Sequence, residues 1–305
     1  MGYGKSAMVF HMLRRLVGEE NFFNSLRDFV RQHSFRAASW NDLRKSFEKR
    51  TNQDLTWFFN QWLNNRGQPE IKVEDVKMAP AGKQFRVAVT LSQRGPLSRL
   101  LVPVTFYRDQ VPHHFTVTLR KRVETFPFLL DSRPQELVVD ENFEVFRKLS
   151  PAEVPPTFKG LLAAGPKLII SAPSRGDISA DITRAFKERG VALKVARGEA
   201  GSEQTSSVLL LGKENPLVSS FFGNLKINDS GFHAVIRKHP HAPGGLVAVF
   251  QASGRAEVET ALREMFNRQF YSDYVFQSGK LVSRTLQEAE RGLRIRLAAP
   301  EARTN

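Results

Sequence analysis

The first residues whose types could do chemistry are Tyr3 and Lys5. They sit in the turn before Ser6-Ala7-Met8-Val9-Phe10-His11-Met12-Leu13. Met8, Met12 and Leu16, flanked by Val9 and Leu13, repeat at helical spacing, so an amphipathic helix is predicted here. An aromatic hydroxyl held at a helix start can donate a hydrogen bond to negative charge developing on a substrate. On spacing alone the plainer reading is the better one: a surface tyrosine at a helix start. Other candidate sets fail on their own pattern. None of the seven histidines forms His-Glu-x-x-His, so that route to a bound metal is absent from this sequence. His113 and His114 are adjacent and would point to opposite faces of a strand, a poor arrangement for one shared metal. His239-Pro240-His241 reads as a polar loop between strands. The stretch Gly160-Leu161-Leu162-Ala163-Ala164-Gly165-Pro166-Lys167 resembles a phosphate loop. Yet a proline interrupts Gly-Lys, no Ser or Thr follows, and the stretch precedes a strand where it should follow one. Ser174-Arg175-Gly176-Asp177 could aim helix N–H groups at an anion, but a helix start already capped by Asp177 is the better reading. Arg175-Gly176-Asp177 as an adhesion tripeptide is a chance match.

These residues must be positioned by three kinds of element. Residues 5–66 read as helices. Phe22, Leu26, Phe29 and Val30 form a second apolar stripe. Ser39-x-x-Asp42 resembles a capping box with Asp in place of Glu. Asn52 or Asp54 can cap the next helix, where Leu55, Phe58, Phe59 and Trp62 share one broad face. Gly67 and Pro69 stop it. The period then changes to two. Phe85, Val87, Val89 and Leu91 alternate with polar residues, as do Leu100, Val102, Val104 and Phe106, and Phe115, Val117 and Leu119. Val123–Leu130 and Glu136–Asp140 add two further strands, which together predict an antiparallel sandwich. After the Pro-rich segment from Ser150 to Thr157, strands alternate with helices. Lys167–Ser171, Val191–Val195, Val208–Leu211, Phe232–Ile236 and Leu246–Phe250 read as strands. Asp177–Arg189 and Glu257–Phe270 read as helices, Asn215–Phe222 as a short one, and a last hairpin turns at Gly279. This alternation predicts an α/β layer domain with a largely parallel sheet. The expected organisation is a multidomain α+β chain. It comprises helices over 1–67, a β-sandwich over 68–149, a linker over 150–157, an α/β domain over 158–299 and a frayed tail over 300–305.

Composition bounds the partners. The chain has 305 residues, 41% hydrophobic and 25% charged, which is ordinary for globular protein. It has no cysteine, which excludes disulfides, cysteine-bound metals and thiol nucleophiles and leaves the compartment open. No apolar run is long enough to span a membrane. A net charge of +14 raises nucleic acid or an anionic membrane surface as partners. The excess is spread along the chain: 11 basic against 6 acidic residues in 1–66, 13 against 11 in 67–157, and 21 against 14 in 158–305. The sharpest cluster is Arg120-Lys121-Arg122, read as a solvated strand end. No RNP, KH or zinc-finger pattern accompanies it, so direct nucleic-acid recognition is not expected.

Three blocks in the first 70 residues resemble the M1 family of zinc aminopeptidases. Tyr3-x-Lys5-Ser6-Ala7-Met8-Val9 is similar to the family's Tyr-x-Lys-Gly motif, with Ser6 where the family usually has Gly. Leu16-Val17-Gly18-Glu19-Glu20-Asn21-Phe22 is similar to its Leu-x-Gly-Glu-x-x-Phe. Asp54-Leu55-Thr56-Trp57-Phe58-Phe59-Asn60-Gln61-Trp62, then Gly67 and Pro69, resembles its Asp-Leu-x-x-Phe-Phe-x-Gln-Trp and Gly-x-Pro. Asp140-Glu141-Asn142-Phe143 with Phe146-Arg147-Lys148-Leu149 resembles the family's exit from its sandwich domain. The resemblance implies that Tyr3 stabilises the tetrahedral intermediate of peptide hydrolysis. It also implies a zinc ion in the full-length protein, held by an HExxH motif and a further Glu that lie upstream of the Tyr in the family. The expectation is therefore a C-terminal portion of a metallopeptidase that, alone, binds no catalytic zinc and hydrolyses nothing. Peptides are the substrates expected of the full-length protein. The alternative is a non-catalytic scaffold on an M1-like frame, with residues 158–299 holding a protein or peptide partner. No cofactor-binding or metal-ligating residue is expected within the chain.

Overall fold

The computed structural model describes residues 3–165, 167–171, 176–191, 193–196 and 207–297. The chain forms two compact units, Met1–Ser150 with Glu290–Asn305, and Pro151–Ala289.

The first unit opens with four helices: α1 (Tyr3–Val17), α2 (Glu19–His33), α3 (Trp40–Thr51) and α4 (Thr56–Asn64). Val9, Met12, Leu13 and Val17 form the buried side of α1, one stripe at i, i+3, i+4 and i+8. Gly18 at φ +83° turns the chain directly into α2, a conformation that glycine adopts without steric cost. The stripe expected on α2 is narrower than its apolar residues suggested. Phe22 is buried but Val30 is 60% exposed. Ser39 starts α3 with the reciprocal capping box: its hydroxyl oxygen accepts from the Asp42 N–H, and its own N–H donates to Asp42. Asn52 does not start the next helix. It ends α3 in the left-handed region, at φ +52°, which asparagine tolerates better than most residues. The start of α4 is served instead by Asp54, whose Oδ1 accepts the Thr56 N–H at 2.9 Å.

Strands follow as β1 (Glu70–Ala81), β2 (Gln84–Arg94), β3 (Leu100–Arg108), β4 (Val111–Leu119), β5 (Val123–Leu130) and β6 (Glu136–Val139). Late in the chain comes β14 (Leu293–Arg296). They build a three-stranded sheet, β1-β2-β5, and a four-stranded sheet, β14-β6-β3-β4, with every pair antiparallel. The alternation seen in sequence becomes the inner faces. Val87, Val89 and Leu91 share one core with Val102, Val104 and Phe106, and that core continues into Phe47, Phe58 and Trp62 of the helices. Helices and sandwich therefore bury one continuous hydrophobic interior. Assigning 290–299 to the α/β domain was wrong: Leu293↔Val139 and Arg296↔Glu136 pair β14 with β6 in the sandwich. Its short strand carries no strong period-2 signal of its own, and a long-range pairing cannot be read from local pattern.

The second unit is layered. A 3-10 turn over Pro151–Glu153 and α5 (Phe158–Ala163) precede β7 (Lys167–Ser171), α6 (Gly176–Lys187), β8 (Leu193–Ala196), β9 (Ser207–Leu211), α7 (Leu217–Phe222), β10 (Phe232–Lys238), β11 (Leu246–Ala252), α8 (Arg255–Asn267), β12 (Asp273–Gln277) and β13 (Lys280–Thr285). The sheet runs β13-β12-β10-β11-β9-β7-β8. It is half parallel, not largely so. The neighbours from β8 to β11 run parallel, and β10, β12 and β13 join antiparallel. The reason is local. β10 and β11 are joined by a short turn, which permits only antiparallel pairing, whereas a parallel pair needs a crossover of a dozen or more residues. Adjacent residues serve opposite faces. Ile169, Leu209 and Leu211 pack with α5, α6 and α8, while Ile170, Val208 and Leu210 pack with Val218 of α7.

Candidate functional site

Tyr3 is the first residue of α1 and is 99% exposed. Three observations say how firmly its backbone is held. The Lys5 Nζ donates to the Asn65 carbonyl at 3.1 Å, tying the start of α1 to the end of α4. Farther along, Met12 Sδ accepts the Phe146 N–H at 3.4 Å, and Val9 and Leu13 are sealed in the core. The helix is thus clamped on its apolar side while its first side chain faces solvent. No acidic residue occupies the first turn, so the positive end of the helix dipole is left uncompensated. A hydroxyl placed there is accessible and suited to donating toward an anionic oxygen. Among the described residues, no hydrogen bond or ring contact joins the Tyr3 side chain to another candidate side chain.

His11, which the sequence did not single out, has a pKa displaced from its ordinary value. Its Nε2 is enclosed without a hydrogen-bond partner. Burial, then the nearby Arg14, lower its pKa, while Glu144 opposes them. Its ring is therefore held toward the neutral form. Arg15 reaches Glu144 at 2.8 Å beside it. Only the tertiary fold brings Glu144 there, so spacing could not have revealed this cluster.

The remaining sequence candidates resolve into structural roles. His114 Nδ1 lies 3.1 Å from the Thr105 hydroxyl across the β3–β4 pair. His239 is buried, and its Nδ1 accepts the N–H groups of His241 and Ala242, so that nitrogen fixes the β10–β11 turn. Gly160 to Ala163 are the body of α5, with Thr157 as its cap; Pro166 lies outside the described residues. So do Ser174 and Arg175 of the candidate anion loop, and the tail 300–305. Among the described residues, no group of three or more His, Asp or Glu could hold a metal ion. A zinc ion therefore finds no fitting donor set in them. In the second unit, α6 and α8 flank a cleft of about 610 Å³. Two of its arginines share one carboxylate: Asp181 takes Arg255 at 2.6 Å and Arg184 at 2.7 Å. No helix of the described residues is long and apolar enough to cross a membrane.

Comparison with known proteins places this geometry in context. Residues 1–62 match the family model described as the Peptidase family M1 domain. Aminopeptidase N of Escherichia coli (strain K12) is 34% identical over 94 residues, 31% of this chain and 10% of that protein. Glutamyl aminopeptidase of Sus scrofa is 23% identical over 158 residues, 50% of this chain and 16% of that protein. The chain thus spans only a small part of the length of the curated relatives it matches. Among solved structures, Legionella pneumophila aminopeptidase A in complex with aspartic acid aligns with a TM-score of 0.41 at 21% identity, over 48% of this chain and 18% of that one. A score that low carries no argument about fold.

Proposed function

Residues 1–62 being an M1-family aminopeptidase-like region, we propose that this chain is part of a larger zinc-dependent aminopeptidase and contributes Tyr3 to its active site. The observation that carries the reading is the placement of Tyr3: an exposed hydroxyl at the start of a helix clamped from behind. In this reading the Tyr3 hydroxyl donates its proton in a hydrogen bond to the oxygen of the peptide carbonyl as negative charge builds on it. Its helix holds it where that charge develops, so little reorganisation accompanies the reaction. The zinc ion, which would polarise the carbonyl and activate water, is held by residues outside these 305. The chain alone binds no catalytic zinc and cleaves nothing.

Two measurements test this. The isolated chain is incubated with zinc, freed of excess metal, and assayed for bound zinc and for cleavage of aminoacyl-anilides. Stoichiometric zinc together with turnover would sink the proposal. In the protein that carries the zinc-binding part, Tyr3→Phe lowers kcat by ~10²–10³, the loss expected for one oxyanion donor. An unchanged kcat removes Tyr3 from the mechanism.

A further inference from the structure

One end of the sandwich gathers exposed positive charge. Two turns meet there, the one from β2 to β3 and the one from β4 to β5. They are locked together by hydrogen bonds: Arg122 Nη1 donates to the Gly95 carbonyl at 2.6 Å, and Gln93 Nε2 donates to the carbonyls of Ser98 and Lys121. Arg94, Arg99, Arg120 and Lys121 project from these turns, all exposed, and none forms an ion pair among the described residues. Arg99 lies over the Trp57 ring, 4.2 Å from its centroid. Burial, and then the neighbouring Arg120, push its guanidinium pKa downward. Opposite Arg94 stands Glu70 on β1, and at the second turn Glu124 is spent on the backbone N–H groups of Arg120 and Lys121. Glu124 offsets a single charge.

The same turns also expose aliphatic side chains. Leu97, in the β2–β3 turn, is 49% exposed, and Val123, directly after Arg122, is 57% exposed. A polyanion needs only the cations. Cations combined with protruding aliphatic groups and an indole beside an arginine are what a lipid interface accommodates: phosphates meet the charge, and the apolar tips enter the headgroup boundary.

We propose that this end of the sandwich docks on an anionic lipid bilayer, with Arg94, Arg99, Arg120 and Lys121 facing lipid phosphates and Leu97 entering the interface. The contact is peripheral and reversible. Each cation near an anionic surface contributes roughly five-fold to partitioning, so the affinity is salt-dependent and falls as the Debye length shortens. The proposal stands apart from the peptidase reading, since neither Tyr3 nor zinc enters it.

Co-sedimentation of the full chain with unilamellar vesicles tests it. Vesicles of phosphatidylcholine alone are compared with vesicles containing phosphatidylserine, and heparin serves as a soluble polyanion. The expected result is partitioning to the phosphatidylserine vesicles only. Arg120→Gln with Lys121→Gln should reduce it roughly twenty-five-fold, two steps of the per-cation factor, and Leu97→Ser should reduce it several-fold while leaving heparin binding unchanged. These side chains are exposed and make no side-chain bond, so unchanged melting temperatures are the folding control. Failure to sediment with either vesicle, equal sedimentation with both, or full retention of vesicle binding in Leu97→Ser would each overturn the bilayer reading. The last would assign the patch to soluble polyanions.

Discussion

Asp140 is buried at an unusual backbone position, φ +57°. Its Oδ2 meets Arg147 Nε at 2.6 Å with both side chains fully enclosed, and its Oδ1 accepts the N–H groups of Glu144 and Val145. Burial pushes this carboxyl upward against the pull of Arg147 and the two N–H donors. Asp140→Asn keeps a side chain that tolerates the left-handed backbone but removes the carboxylate charge that meets the buried Arg147 guanidinium. Removing one partner of a buried pair costs about 3–5 kcal/mol, so chemical denaturation should show a loss of that size; a loss within experimental error would mean that Arg147 has other means of staying solvated. The pair was visible in the sequence only as part of a family-like Asp-Glu-Asn-Phe to Phe-Arg-Lys-Leu run. Its burial was not, because desolvation depends on what the rest of the chain stacks over it. Tyr3 shows the converse. Its type and its place at a helix start were legible, and the structure adds full exposure and a clamped helix behind it.

At the scale of elements, local chemistry predicted the boundaries well where a cap or a glycine did the work. The α3 capping box is present as the Ser39-x-x-Asp42 spacing predicts. The Asp42 carboxyl sits below its ordinary range, chiefly through the Ser39 hydroxyl and then the Ser39 N–H. A depressed carboxyl pKa stabilises the fold above the unfolded value, and that contribution disappears as pH falls through the folded one. Ser39→Ala should therefore cost about 1 kcal/mol at neutral pH, with a smaller gap from the parent in acid below the carboxylate range. Melting curves at the two pH values check this, and a gap independent of pH would assign the whole effect to the neutral cap. Local pattern left Asn52 and Asp54 both open as the cap of α4, and the structure gives that place to Asp54 and the end of α3 to Asn52. Local pattern failed at Val30, an apolar residue at helical spacing that is left 60% exposed.

For the whole molecule, the consequential difference is the return of β14 to the sandwich. Gly292, just before that strand, has φ +73°, and a Cβ there would lie 2.7 Å from the Val139 carbonyl oxygen. Gly292→Ala meets both a strained conformation and a backbone clash, for a loss of about 1–3 kcal/mol. Hydrogen exchange should locate the damage: faster exchange over Glu136–Val139 and Leu293–Arg296, with Leu246–Ala252 unchanged. Faster exchange confined to Leu246–Ala252 would assign the strand to the other unit.

Sequence by itself determined the helices, their caps, the period-2 strands of the sandwich and the resemblance that singles out Tyr3. Each of these is encoded within a few residues: in side-chain periodicity, in a donor and acceptor three positions apart, or in a short motif. Tertiary structure alone decided four things. It decided that helices and sandwich share one core, that β12 pairs with β10, and that β14 crosses back to β6. It also decided that the cations of two separate turns converge beside Leu97 and Val123. These are pairings between distant segments, fixed by which buried surfaces and backbone edges satisfy one another, and no window along the chain contains both halves of such a pair.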